Sequence, residues 1–209
     1  MDAGDAMIDP AFVKTWLTRF GELVEEHADE LTQLDAAIGD ADHGANMARG
    51  MRATPDWLDE DTVDAQLKGV GMTLLRAVGG TAGPLYATMF LHMARGLTDD
   101  TGDEAFARAF VAGAEALAAR GRARPDDKTM CDVLLPATRV LAERLGAGDD
   151  WSTSVDAAAA EARRGRDHTV DLVARKGRAS YLGERSKGHM DPGAASAELL
   201  FRALQEVQR

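Results

Sequence analysis

An all-α single domain, built as an eight-helix antiparallel up-and-down barrel or bundle, is the fold this sequence predicts. Three observations carry that expectation. Apolar residues recur at the i, i+3, i+4, i+7 spacing of a helix along nearly the whole chain. No stretch alternates apolar and polar residues as a half-buried strand would, and no hairpin turn signal is present. The composition is 45% hydrophobic and only 5% aromatic, and its dominant alanine and leucine favour helix.

The elements follow in order. Phe12, Val13, Trp16, Leu17, Phe20, Leu23 and Val24 mark a first helix over 10–37, and a second spans 44–53. Leu67, Val70, Leu74, Leu75 and Val78 mark a third over 60–78. Helices over 84–96, 103–120, 129–145 and 151–174 come next, and the alanine run at 157–160 reads as a tightly packed face. Leu200, Phe201, Leu204 and Val207 mark the last, over 192–208. Residues 1–9 are expected to form a flexible N-terminal extension of a single domain spanning 1–209, without a linker or low-complexity tract.

Charge and composition narrow the function. A net charge of −11 argues against nucleic acid or an anionic membrane as partner. Cys131 is the only cysteine, which leaves neither a disulfide framework nor a cysteine-rich metal site. The start, "MDAGDAMIDP", lacks the cationic and apolar regions of a signal peptide. The longest apolar stretch, "LYATMFLHMA", is about half of what a membrane span needs. A cytoplasmic location is expected.

Three connectors, "ATPDWLD", "GLTDDTGD" and "GAGDDWS", carry ordinary helix-ending and helix-starting residues. The other four are dense in glycine and polar residues: "GDADHGAN", "VGGTAGP", "RGRARPDDKTMCD" and "ARKGRASYLGERSKGHMDPGA". These four join helices 1 and 2, 3 and 4, 5 and 6, and 7 and 8. In an up-and-down array all four fall at the same end, so their residues converge in space.

The first of these loops holds three carboxylates, Asp35, Asp40 and Asp42, within eight residues. On an ideal helix Asp35 and Asp40 point ~140° apart and share no cation. A glycine at 39 in a positive-φ conformation would bend the chain and turn Asp40 and Asp42 back toward Asp35. Convergent carboxylate oxygens suit Mg²⁺, which keeps waters and shares phosphates. The bland alternative is an acidic C-cap turn with Asp42 as the next N-cap, and for an isolated D-x-D that alternative wins. Here the flanking glycines and the other three loops tip the balance.

Three of the loops open helices. Residues 43–46, "GGTAGP" with Pro84 suited to the first helical position, and "MDPGA" with Asp191 as N-cap and Pro192 after it all present backbone N–H groups suited to an anion. For "GGTAGP" an ordinary interhelical turn is the competing reading, and taken alone it is the better one. No G-x-x-x-x-G-K-[ST] occurs, which excludes a standard P-loop. Arg175, Lys176, Arg178, Arg185 and Lys187 crowd the last loop. A run of cations is usually a solvated face, but at the acidic end of the bundle it reads as a lid over polyphosphate. The charges agree: ATP carries about −4, whereas three aspartates with two Mg²⁺ leave about +1. For His43 and His189, structural hydrogen bonding is at least as good a reading as proton transfer. Met130 and Cys131 serve equally well as a slot for a base or as helix-start packing.

"LDAAIGDADHGANMARG", "GMTLLRAVGGTAGPLYAT", "RGRARPDDKTMCDVLLPA" and "ARKGRASYLGERSKGHMDPGA" together closely resemble the ADP-binding L subunit of phosphotransferase-dependent dihydroxyacetone kinases. The likeness runs from about Trp16 to Leu204. It implies an eight-helix barrel with a nucleotide site at one end and two Mg²⁺ ions on Asp35, Asp40 and Asp42. By motif position it places ADP or ATP contacts on His43, Gly44, Ala45 and Asn46, on Thr81 and Ala82, on Gly121, Met130 and Arg178, and on Asp191, Pro192 and Gly193. It further implies that ADP stays bound as a coenzyme. A phosphohistidine on an M subunit phosphorylates it in place, and the group passes to dihydroxyacetone held by a K subunit. No covalent nucleophile is then needed on this chain. The sequence departs from the family pattern at Ala82, where serine is frequent, and at Asp126, where glycine is common.

Other roles fit parts of the same pattern. A non-catalytic partner that reports the ADP/ATP state to a transcription regulator needs the same nucleotide site. An L-type subunit for another small ketose would differ in its K-like partner. An isoprenoid-type enzyme would need a second aspartate-rich helical motif, and "DDKTM" lacks the further acid.

Overall fold

The structure is a computed structural model, and it describes residues 8–208. Among the described residues there are nine α-helices and no strand. They are α1 (Pro10–Glu26), α2 (Ala28–Ile38), α3 (His43–Arg52), α4 (Val63–Ala77), α5 (Ala82–Arg95), α6 (Asp103–Gly121), α7 (Cys131–Gly146), α8 (Trp151–His168) and α9 (Pro192–Glu206). Short 3₁₀ turns lie at Pro55–Asp59, Thr169–Asp171 and Arg178–Ser186.

Nine helices make eight traverses, because the expected first helix is bent and not reversed. At His27 the i→i−4 ladder continues on both sides: its N–H donates to Leu23 O, and its carbonyl accepts from Leu31 N. The imidazole Nδ1 also lies 2.9 Å from the Leu23 carbonyl oxygen. A side chain inserted into the ladder is a sufficient cause for a kink. The parity of the connections is therefore that of eight antiparallel helices. Each helix from α4 to α9 packs on the next, α9 packs on α1, and α3 bridges α1, α2 and α4, which closes the ring.

The ring is filled by side chains. Trp16 of α1 lies 6.4 Å from Phe90 of α5, and 5.5 and 5.7 Å from Phe106 and Phe110 of α6, all edge-on. Its indole N–H donates to Leu200 O of α9 at 3.0 Å. One residue thus joins four helices, and of the aromatics whose side chains are described all but Tyr181 are buried in this core. Ala158 and Ala159 of α8 are buried in the core, as the alanine run suggests.

Several expected boundaries shift. The extension expected over 1–9 falls partly outside the described residues. Within them Ile8 is fully buried, its N–H donates to Thr101 O, and Asp9 caps α1 by accepting from Phe12 N. The seventh expected helix ends at His168, not 174. From Thr169 the chain tightens into the 3₁₀ turn Thr169–Asp171 and becomes extended at Leu172; the Thr169 carbonyl accepts from Lys128 and its hydroxyl accepts from Asp191 N. The helix expected to begin at Pro84 begins at Ala82, so Pro84 is its third residue and not its first. Proline is tolerated there because that N–H has no intrahelical acceptor anyway. No helix among the described residues is long and apolar enough to cross a membrane.

Candidate functional site

The four glycine-rich connectors meet at one end of the barrel around a cavity of about 810 Å³. All but two of the residues expected to hold metal or nucleotide border it: Asp35, Asp40, Asp42, His43, Asn46, Thr81, Ala82, Gly121, Met130, Arg178, Asp191, Pro192 and Gly193. The exceptions are Gly44 and Ala45. Gly44 is buried against α2, where a Cβ would lie 1.9 Å from the Ala28 carbonyl oxygen. Its lack of a side chain serves the close approach of two helices. Both residues still lie in the first turn of α3, whose N–H groups have no intrahelical acceptor.

Asp35, Asp40 and Asp42 each offer a carboxylate oxygen within 4.8 Å of the others. Asp35, in the last turn of α2, is buried and organises the loop: its Oδ2 accepts from Asp42 N at 2.8 Å and His43 N at 3.1 Å. The bend that brings the trio together differs from expectation. Gly39 keeps a negative φ of −140°, and the left-handed residue is Ala41, at φ 62°. Glycine is needed at 39 for space, since a Cβ there would lie 1.9 Å from Asp35 Oδ1. Asp42 occupies the N-cap position of α3, yet its side chain makes no capping hydrogen bond. A carboxylate kept off that cap is open to a cation. Asp40 pairs with Arg178, Oδ2 to Nη2 at 2.9 Å. Three hard oxygen donors, one buried and preorganised by two N–H groups, suit a divalent cation of the Mg²⁺ kind.

Besides the start of α7, three helix N-termini border the cavity. Those of α3 and α5 carry no side-chain cap, whereas α9 is capped by Asp191, which accepts from Ala194 N. A hydroxyl node ties the three together. Ser196 Oγ on α9 lies 2.9 Å from His43 Nε2 on α3 and 2.9 Å from Tyr86 OH on α5, and it donates to Gly193 O. Burial holds His43 below its ordinary pKa, against the opposing pull of Asp35 and Asp42, and pushes the Tyr86 hydroxyl up. Both groups are therefore neutral near pH 7, and they act through hydrogen bonds. The His43 side chain is engaged in this hydrogen bond to Ser196, whereas His189 contributes its carbonyl to Lys128.

The third connector supplies the cavity wall opposite the aspartates. Met130 and Cys131 are buried at the start of α7, next to Leu85 and Leu117 in the lining. Burial raises the Cys131 thiol to about 11, so it stays protonated and apolar. Asp126 adopts φ 68°, the conformation for which the family's glycine is suited and which aspartate tolerates better than most residues. Its carboxylate turns to His168, 2.9 Å away, and it does not line the cavity. Ala82 sits at the first position of α5 and borders the cavity, with no hydroxyl on its own side chain.

Sequence reasoning missed Lys128, Ser196 and Tyr86. Lys128 is 1% exposed, a burial that a lysine between aspartates in a polar loop does not announce. Ser196 and Tyr86 occupy ordinary helical positions, and their pairing spans 110 residues.

Burial raises the Asp191 carboxyl to about 7, with the Asp132 charge adding to the rise while the Ala194 N–H and Lys128 oppose it. Its unfolded value is about 3.9, so the native state binds the extra proton between roughly pH 4 and 7. The nucleotide-free protein should therefore lose stability as pH rises through that window. Asp191→Asn, which retains a capping oxygen, should flatten the slope in denaturant titrations at pH 5 and 7.5; an unchanged slope would remove Asp191 as its source.

The DAK2 domain family matches residues 37–206. The PEP-dependent dihydroxyacetone kinase 1, ADP-binding subunit DhaL, of Listeria innocua is 42% identical over 205 residues, covering 96% of this chain and 98% of that one. The corresponding ADP-binding subunit DhaL of Escherichia coli is 41% identical over 198 residues, covering 92% and 94%. The crystal structure of the dihydroxyacetone kinase from C. freundii in complex with AMP-PNP and Mg²⁺ superposes with a TM-score of 0.75 at 23% identity. That match takes in all of this chain and 36% of the larger one, and it is a likeness of fold.

Proposed function

This chain belongs to the DAK2 domain family, and from that premise we propose that it is the ADP-binding subunit of a PEP-dependent dihydroxyacetone kinase, a phosphotransferase active only with its K and M partner subunits. The observation that carries this reading is the cluster of Asp35, Asp40 and Asp42, with ligand atoms within 4.8 Å, set beside three helix N-termini in one cavity. Relatives that share two fifths of the sequence over nearly the full chain are named as ADP-binding subunits. The bound nucleotide with two Mg²⁺ would supply the phosphoryl carrier, charged by a phosphohistidine of the M subunit and discharged to dihydroxyacetone on the K subunit.

The work of this chain is positioning and neutralisation. Asp35, Asp40 and Asp42 hold the cations. Backbone N–H groups of Gly44 and Ala45, of Thr81 and Ala82, and of Gly193 would meet phosphate oxygens, while His43, Asn46 and Asp191, whose N–H groups are given to Asp35, to the Asp42 carbonyl and to Thr169, border the nucleotide. Met130 and Gly121 border the base. Arg178, which pairs with Asp40, would be placed to give a charged hydrogen bond to a phosphate of a nucleotide held beside the trio. Ketose choice lies with the K subunit, because this cavity has the donors of a nucleotide site.

Native mass spectrometry of the purified protein should find ADP and magnesium retained, and K and M subunits with phosphoenolpyruvate should restore dihydroxyacetone phosphate formation. A chain that stays nucleotide-free under added ADP and Mg²⁺ ends this reading. Arg178→Ala should raise the nucleotide off-rate about tenfold, the low end for a charged hydrogen bond because the side chain is exposed, and slow transfer while leaving metal binding intact. Unchanged off-rate and transfer rate would return Arg178 to the solvated face.

A further inference from the structure

The long connector leaves the barrel at Leu172 and returns at His189, and one ammonium group holds both ends. Lys128 Nζ donates to the carbonyl oxygens of Thr169, of Leu172 at 3.2 Å, and of His189. A lysine carries three N–H donors and no acceptor. These carbonyls engage all three, so none is left for a ligand, although Lys128 borders the cavity. An ammonium buried to this degree is tolerated only with its donors satisfied. Lys128 also holds a left-handed φ of 62°, uncommon for a residue with a side chain and kept only where surrounding contacts impose it.

The same neck is closed by backbone bonds. Gly188 N donates to Val170 O at 2.8 Å, and Arg175 N to the carbonyl of Asp127, the residue beside the lysine, at 3.0 Å. The segment beyond is a compact loop with close ends, packed by Ala174, Ala179 and Leu182 against Ile38 of α2. From this loop Arg178 reaches Asp40.

We propose that Lys128 is a positioning residue: its ammonium clamps the neck of the loop over residues 173–188 and so sets Arg178 above the aspartate cluster, without touching the nucleotide. The consequence for nucleotide retention rests on the function proposed above; the clamp itself does not. A lysine in a phosphate site is ordinarily a phosphate ligand, and the two roles differ in what happens before any nucleotide binds.

Lys128→Met keeps the length of the side chain and removes its charge and donors. In the nucleotide-free variant, amides 170–175 and 186–190 should exchange faster by about tenfold or more, the scale of one lost hydrogen bond to a charged group, while α4 to α6 keep their protection. Unchanged exchange at the neck without nucleotide overturns the clamp. For the nucleotide off-rate, Lys128→Met combined with Arg178→Ala should match Arg178→Ala alone, since residues acting as one unit are not additive. Additive losses overturn the route through Arg178. A third measurement needs no variant. The wild-type protein should show a slowly exchanging Lys128 ammonium signal in ¹⁵N NMR, unmoved by ADP and Mg²⁺. A signal that forms only with nucleotide makes Lys128 a phosphate ligand and overturns the proposal. Failure of the wild type to bind ADP would count against the proposed function and leave the neck-exchange result standing.

Discussion

Asp40→Asn is expected to yield a folded, fully helical protein that no longer retains nucleotide or Mg²⁺. The two halves of that result have separate causes. Asp40 is exposed, and its one ion pair, with Arg178, is at the surface, where such pairs contribute about 0–1 kcal/mol. The fold therefore hardly depends on it. Cation binding does, because neutralising one of three carboxylates removes both a ligand and a charge. Outer-shell partners alone are worth about 10–100-fold in metal affinity, so loss of a direct ligand should reach at least about 100-fold. Circular dichroism combined with a bound-nucleotide assay reads both halves. A folded variant that keeps ADP and Mg²⁺ at wild-type levels would remove Asp40 from the cation site.

Gly44→Ala should be costly for a different reason. Its Cβ would meet the Ala28 carbonyl oxygen at 1.9 Å and Thr32 Oγ1 at 2.6 Å, so α2 and α3 must move apart. Overpacking of this kind costs about 1–3 kcal/mol, and backbone gives way less readily than a side chain. For a chain of this size each kcal/mol lowers Tm by roughly 2–4 °C. The loss should extend to function, because α2 carries Asp35 and α3 begins at the N–H of His43 that Asp35 accepts. Thermal denaturation with and without ADP and Mg²⁺ separates the effects. A variant with wild-type Tm and weakened nucleotide binding would make Gly44 an anion-contacting residue only, as the resemblance alone implies.

Much of the fold is legible in the sequence because its signals are local. The period of apolar residues defines each helix, and Asp191 followed by Pro192 marks the start of α9 where the structure has it. Helix count and connector chemistry then place four polar loops at one end, and the cavity lies there. The aspartate trio is legible for the same reason: its members stand within eight residues, and the loop between two helices has few ways to run.

Other features depended on partners far along the chain. The helix expected through 174 gives way after His168 to a 3₁₀ turn whose Thr169 carbonyl accepts from Lys128, 41 residues earlier. The left-handed residue of the aspartate loop is Ala41 and not Gly39, and the Asp35 side chain takes the space that a Cβ at 39 would need. Ser196 joins His43 across 153 residues. Sequence by itself determined the helices, their parity and the acidic cluster, all set by interactions within a few residues. Only the tertiary structure decided which polar groups are buried and with whom they pair. That choice follows from desolvation: a buried donor must find an acceptor, and the nearest one in space is seldom near in sequence.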